Sequence, residues 1–315
     1  MKEIAALICT RNKAAYLRKS LASLVGQTLS HKRFEVIVID NGSTDNTREV
    51  ADEFRDALPV RYVYEPLVGL SQARNKGWQN TLCEFVAYLD DDAVASPQWL
   101  ERILDRFRSL DPPPASLGGR IVPMWERQPP EWLTEELKRH LSIVDWSDKA
   151  FFLTEHGFYL AGCNVAYRRQ VLEETTGFSV HLGRRGNTLL SNEDLLMQNA
   201  LYLHGHGIFY DPAISVQHHV SAERLTKKWF YKRFYWQGGS DAILEYHLCR
   251  LRRIDWHHRY FFMRSLRLFL EAMREWLKAE ATRSSERVAR RCHTLHRAGQ
   301  LWFDAVVVPG PFGLP

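Results

Sequence analysis

The stretch F-E-V-I-V-I-D-N-G-S-T-D-N-T, Phe34 to Thr47, decides the fold. Phe34 to Ile39 is β-rich, apolar but for Glu35, and predicts a strand. It stops at Asp40, and Asn41-Gly42-Ser43 is turn chemistry. Ser43 or Asp45 then offers a cap for a helix running to about Ala57. Strand, polar turn and helix make one unit, and the same unit recurs on either side. Ile4 to Cys9 is apolar and leads through Thr10-Arg11-Asn12 into a helical pattern with Leu17, Leu21, Leu24 and Val25 on one face. Val60 to Tyr64 predicts a third strand and Ser71 to Thr81 a helix. Phe85 to Leu89 predicts a fourth strand that ends in Asp90-Asp91-Asp92. Alternation of this kind predicts an α/β fold, with a mainly parallel sheet flanked by helices.

Ligands of open α/β sheets bind beyond the carboxyl ends of the strands. Three polar turns follow strand ends here: Thr10-Arg11-Asn12, Asp40-Asn41-Gly42-Ser43 and Asp90-Asp91-Asp92. They are expected to converge on one rim as a single composite site. Three adjacent aspartates repel one another unless a cation or hydrogen-bond donors offset them. Hard divalent ions such as Mn2+ or Mg2+ take carboxylate oxygens and share their shell with phosphates. Taken alone, the same acids also read as a solvated turn before the helix near Pro97, and Asp40 alone reads as an Asx-type turn.

After Asp111 the pattern changes. Pro112-Pro113-Pro114 interrupts the chain, and Gly118-Gly119 and Pro129-Pro130 punctuate a segment read as irregular. Regular structure is expected again at Asn164 to Tyr167, in a helix after Asn192-Glu193-Asp194, and in a strand pair, Ile208 to Tyr210 and Ile214 to His218. From Arg224 onward the chain reads as almost wholly helical.

The bulk properties bound the class. The 315 residues are 45% hydrophobic and 25% charged, which suits a folded chain with a sizeable core. No run is long enough to span a membrane, and Ile4 to Cys9 is too short for the apolar part of a leader. Cys9, Cys83, Cys163, Cys249 and Cys292 lie far apart, without metal or disulfide spacing, so a cytoplasmic location is expected. Tyr246 to Phe303 holds 13 Lys and Arg against 5 Asp and Glu. A basic tail on a mildly acidic body argues against nucleic acid as partner. It suits peripheral association with an anionic membrane surface, the alternative being a helix packed on the rest of the protein.

Four runs in order complete the reading: L-I-C-T-R-N-K-A-A-Y-L-R-K-S-L-A-S-L-V-G-Q-T (Leu7 to Thr28), V-I-V-I-D-N-G-S-T-D-N-T (Val36 to Thr47), G-L-S-Q-A-R-N-K-G (Gly69 to Gly77) and Y-L-D-D-D-A (Tyr88 to Ala93). Together they resemble family 2 glycosyltransferases, inverting enzymes of the GT-A fold that use nucleotide-diphosphate sugars. The likeness continues more loosely through A-G-C-N-V-A-Y-R-R, N-E-D-L-L, V-Q-H-H-V and R-L-T-K-K-W-F, and the tail after His247 lies outside it.

The resemblance implies a GT-A catalytic domain over 1–222 and a helical extension over 223–315. Within the domain, 1–110 would bind the donor and 111–222 the acceptor. Thr10, Arg11 and Asn12 would line the nucleotide pocket with Asp40, Gly42 and Ser43. Arg74 would lie near the ribose and diphosphate, and Asp90, Asp91 and Asp92 would form the D-x-D corner. Asp92 would ligate Mn2+ or Mg2+, with His218 approaching the same ion. An inverting transfer needs a general base for the acceptor hydroxyl, and the acidic pair opening a helix supplies Asp194, or else Glu193. Asn followed by acids is also ordinary helix-start chemistry.

Where many members carry Pro-Thr-Tyr-Asn, this chain has Cys9-Thr10-Arg11-Asn12, so Arg11 would not meet the base as an aromatic ring does. The chain lacks the Q-x-x-R-W motif of processive synthases, and transfer of one sugar to a glycan or lipid-linked acceptor is expected, in exopolysaccharide or cell-envelope assembly. A sugar nucleotidyltransferase would want a glycine-rich phosphate loop after the first strand, which Thr10-Arg11-Asn12-Lys13 is not. A non-catalytic scaffold would not need Asp90, Asp92 and Asp194 together.

Overall fold

A computed structural model describes residues 2–153, 157–278 and 284–307. The strands are β1 (Ile4–Thr10), β2 (Phe34–Asp40), β3 (Val60–Tyr64), β4 (Phe85–Leu89), β5 (Ala93–Ala95), β6 (Ser116–Trp125), β7 (Phe151–Phe152), β8 (Asn164–Arg168) and β9 (Ile208–Val220). The helices are α1 (Ala14–Val25), α2 (Thr47–Glu53), α3 (Leu70–Gln79), α4 (Trp99–Ser109), α5 (Glu135–Lys138), α6 (Arg169–Glu174), α7 (Glu193–Leu203), α8 (Lys227–Leu251), α9 (His258–Lys278) and α10 (Ser284–Trp302).

One sheet has the order β3-β2-β1-β4-β8-β6-β9-β5, with β7 paired to β9. β3, β2, β1 and β4 are parallel, as the strand–helix alternation predicts. β8 runs antiparallel to β4, and β5 and β7 antiparallel to β9, so the sheet as a whole is mixed. Ile4 to Ile8 and Val36 to Ile39 are wholly buried, as strands covered by helices on both faces must be. Asp40 is opposite Thr10 on one side and Tyr64 on the other. That register is what lines up the polar turns.

Two expectations for the middle of the chain are corrected. Gly118 and Gly119 do not punctuate an irregular segment; they lie inside β6. A Cβ on Gly118 would meet the Asn164 carbonyl oxygen at 2.3 Å, and one on Gly119 the Ile214 and Asp211 carbonyl oxygens at 2.1 and 2.2 Å. Only glycine admits that approach between strands. The expected strand pair around Pro212 is one continuous strand, β9, in which the Asp211 side chain accepts the Ala213 N–H (2.9 Å) across the proline. Asn164 fastens this half of the sheet: its Nδ2 donates to Ile214 O (2.8 Å) and Arg120 O (3.1 Å), and its Oδ1 accepts from Trp99 Nε1 (2.8 Å).

The described residues form two compact units. The first contains the chain up to Met124 with Ser142–Val180 and Met197–His219. The second contains Trp125–Leu141, His181–Leu196 and the chain from Val220 on, and is mostly helical. Within it Thr226 caps α8, its hydroxyl accepting the Trp229 N–H (3.2 Å). α8 and α10 touch backbone to backbone: a Cβ on Gly238 would lie 1.8 Å from His296 O, and one on Gly299 1.9 Å from Tyr235 O. Trp132 and Trp229 stand edge-on to Phe230, and Trp236 edge-on to Phe303, so these indoles are packing residues of the helical unit. Among the described residues no helix is long and apolar enough to cross a membrane.

Candidate functional site

The first unit brings the three polar turns to one rim. Asn12 has a left-handed backbone (φ 54°), donates its N–H to Ser43 Oγ (3.0 Å) and accepts the Thr44 N–H at Oδ1 (2.7 Å). Those two bonds join the end of β1 to the turn after β2. Gly42 needs its positive φ of 78°, which fits it for this turn. Asp40 is buried; its Oδ1 accepts the Ser43 N–H (2.8 Å) and its Oδ2 the Tyr62 hydroxyl (2.6 Å). Bonded three residues on into its own turn, the carboxylate is fixed at the strand end. Burial, with the hydroxyl's hydrogen bond to Asp40 and that carboxylate's charge, pushes the Tyr62 phenol well above its ordinary range. Thr10 is buried beneath this row, whereas Arg11 is exposed.

The third turn is tied to the first by Lys13, whose Nζ lies 3.1 Å from Asp91 Oδ1 and 2.9 Å from Asp92 Oδ2. Burial is the largest influence on Asp91 and, with the Asp92 and Asp90 charges, pushes its carboxyl up to about 6 against the pull of Lys13. β9 closes the corner, because the His219 N–H donates to Asp92 O (2.8 Å) and His218 pairs with Ala93 in register. His218 is buried, with Nε2 3.3 Å from Asp92 Oδ1. One ligand atom each from Asp90, Asp92 and His218 lies within 4.8 Å of the others. Two carboxylates and an imidazole, with Asp90 partly open to solvent, fit a manganese- or magnesium-type ion.

Arg74, on α3, is 3% exposed and points to the same corner, with Nη2 3.9 Å from Asp90 Oδ1. Its guanidinium stands over the Tyr88 and Phe178 rings. A Cβ on Gly162 would fall 2.0 Å from Nη2, so the glycine of A-G-C-N is the space Arg74 occupies. α3 is held in turn by Asn41: its Nδ2 donates to Glu65 O (3.1 Å) and Leu67 O (2.8 Å), and its Oδ1 accepts the Gly69 N–H (2.7 Å). Sequence reasoning gave no role to Lys13, Asn41 or Tyr62. Lys13 and Asn41 stand inside the motif runs, which was their one signal, and Tyr62 stands outside all of them.

Glu193 and Asp194 open α7 as expected, Glu193 buried and Asp194 half-buried. Both belong to the second unit, and each is engaged by neighbours.

Residues 5–176 match the family model described as glycosyl transferase family 2. A glucosyl-dolichyl phosphate glucuronosyltransferase of Haloferax volcanii is 26% identical over 250 residues, 77% of each chain. The succinoglycan biosynthesis protein ExoM of Rhizobium meliloti is 27% identical over 241 residues, 75% of this chain and 73% of ExoM. Among solved structures, the mannosyltransferase PcManGT of Pyrobaculum calidifontis, in complex with GDP-Man and Mn2+, superposes with a TM-score of 0.60 at 17% identity, covering 96% of this chain and 86% of that one. That likeness carries the GT-A fold. With the family match spanning more than half of the chain, this protein belongs to glycosyl transferase family 2 and is a glycosyltransferase.

Proposed function

We propose that the protein moves one sugar from a nucleotide-diphosphate sugar to a hydroxyl of a glycan or lipid-linked acceptor, with inversion and with the help of a divalent ion. The observation that carries this reading is the Asp90–Asp92–His218 cluster at the rim that also holds Asp40 and Arg74. In this reading Thr10, Asn12, Asp40, Gly42 and Ser43 hold the nucleoside, and Arg11 lies at the pocket's exposed edge. Arg74, a fixed and desolvated guanidinium, binds the diphosphate as a fork of donors. Asp90 and Asp91 shape the corner, and Asp92 and His218 hold the ion. When bound, Mn2+ or Mg2+ supplies positive charge against the leaving diphosphate. Asp194, or failing it Glu193, takes the acceptor's proton as the hydroxyl attacks. The donor half would be 1–110, the acceptor half 111–222, and 223–315 the helical extension. The setting would be exopolysaccharide or envelope glycan assembly in the cytoplasm.

The test is thermal stabilisation by UDP, GDP, dTDP and CDP, each with and without Mn2+. A ligand at a hundred times its Kd stabilises by about 2.7 kcal/mol, which raises the melting temperature of a chain this size by several degrees. One nucleoside diphosphate should do this, and more strongly with the ion. No shift with any of the four would defeat the donor-site reading.

The extension supports a lipid-facing role. On α9, Tyr260, Met263, Arg267, Leu270, Arg274 and Leu277 follow one another at steps of three and four residues, and all six are exposed. Such a row forms one face of a helix. From Met263 on, apolar and guanidinium side chains alternate along it, Arg267 also bonding Glu271 (2.9 Å), as suits the headgroup boundary of an anionic bilayer. In a self-paired seam the arginines would face each other. Sedimentation with vesicles containing phosphatidylglycerol should therefore exceed that with pure phosphatidylcholine by roughly ten- to thirtyfold, since Arg267 and Arg274 near the surface add about 1 kcal/mol each. Met263→Ser with Leu270→Ser should remove most of it. Equal sedimentation with both vesicle types would refute a membrane role for this face.

A further inference from the structure

Asn192 stands immediately before the acidic pair with φ 74°. A residue with a side chain holds the left-handed region when its surroundings fix it there. What fixes Asn192 is a polar cluster within the helical unit. Its Nδ2 donates to Asp241 Oδ1 (2.7 Å), and its Oδ1 accepts from Gln237 Nε2 (2.9 Å), which also lies 2.7 Å from Asp241 Oδ1. The other carboxylate oxygen of Asp241 is 2.6 Å from His296 Nε2. Burial alone would raise Asp241; the bonds from His296, Asn192 and Gln237 outweigh it and hold the carboxyl below its usual range. Next door, the Ser191 N–H donates to Ser240 Oγ (2.9 Å), while Arg233 donates to Ser191 Oγ (3.2 Å) and Leu189 O (3.3 Å). The start of α7 is therefore pinned to α8 by side chain and backbone. α8 is pinned to α10 at this level by the Gly238–His296 contact.

Helix starts otherwise fray, because their first N–H groups have no partner inside the helix. We propose that Asn192, held by Gln237, Asp241 and His296, is a positioning residue that sets where α7 begins and so how the carboxylates of Glu193 and Asp194 are presented; this rests on reading that pair as the source of the base. Asp241 serves here as the anchor: its Oδ1 accepts from Asn192 and Gln237, and its Oδ2 lies 2.6 Å from His296 Nε2. A base displaced by about 1 Å loses up to about a hundredfold in rate.

The experiment follows release of UDP from UDP-glucose and of GDP from GDP-mannose with Mn2+, water serving as acceptor. Melting temperature and amide hydrogen exchange over residues 193–196 are measured alongside. Asn192→Gly is informative because glycine accepts φ 74° without strain while losing both anchors. It should melt within a few degrees of the parent, keep its donor KM, and lose about tenfold or more in kcat, with faster exchange in the first turn of α7. Asp241→Asn should behave alike. The exchange of partners, Asn192→Asp with Asp241→Asn, restores an amide-to-carboxylate bond across the same gap and should recover most of the kcat. The inference fails if both single variants keep kcat within about twofold and parent-like exchange, or if the exchanged pair does no better than the worse single. Asp194→Asn in the same panel reads the other claim: undiminished hydrolysis there removes the base assignment, while the exchange data still judge the hold of Asn192 on α7.

Discussion

Asp92→Ala should cut sugar transfer by about a thousandfold, the scale of losing a charge-stabilising element at a leaving group. Asp92 is the meeting point of the corner: one oxygen faces His218 and the other Lys13, and its backbone carbonyl accepts from His219. Its removal takes away a ligand of the proposed ion and leaves an ammonium and an imidazole beside an emptied, buried place. The signature to look for is loss of the Mn2+-dependent part of the nucleotide stabilisation, with the metal-free part kept, because Asp40 and Arg74 are untouched. Asp92→Asn separates charge from volume, and should lose nearly as much rate while melting closer to the parent. Transfer within about tenfold of the parent in both variants would remove Asp92 from the chemistry.

Asp194→Asn should lower kcat by about a hundred- to ten-thousandfold, the usual range for a positioned general base, and leave stabilisation by the donor nucleotide unchanged. The amide keeps the size and the helix-start position but cannot take a proton. Glu193→Gln alongside decides between the two acids. Glu193 is buried, so its change should cost stability more than rate if Asp194 is the base. The reverse pattern would name Glu193 instead, and full activity in both would exclude the pair.

Much of the fold could be read in advance because β1, β2 and β4 are apolar runs, broken only by Glu35, that end in polar turns, and a parallel sheet aligns such ends wherever its register is set. The alignment of Thr10 with Asp40 is the consequence. The antiparallel half was harder to read. Gly118-Gly119 looks like a break in one dimension and becomes intelligible only when the Asn164 and Ile214 carbonyls are seen against it. Pro212 argued against a continuous β9 because proline lacks an N–H, and the compensation by Asp211 lies in a side chain. At the site, the motif acids and Arg74 could be named from their runs. Lys13, Asn41 and Tyr62 could not, since each acts through a partner some twenty to eighty positions away, and spacing carries no trace of such pairs.

Lys13 has a thermodynamic consequence. Its ammonium already sits between Asp91 and Asp92, so the corner is not a bare acidic hollow awaiting a counterion. In the proposed function, a dication held by Asp92 would compete with Lys13 for that carboxylate, and its net gain would be the difference between two electrostatic attractions. Such a corner has the charges of Asp91 and Asp92 offset from within the chain, by a side chain that the proposed ion would have to outbid. On that reading the negative charge of a bound nucleotide would tip the competition toward the ion, so that ion and nucleotide would each favour the other's binding.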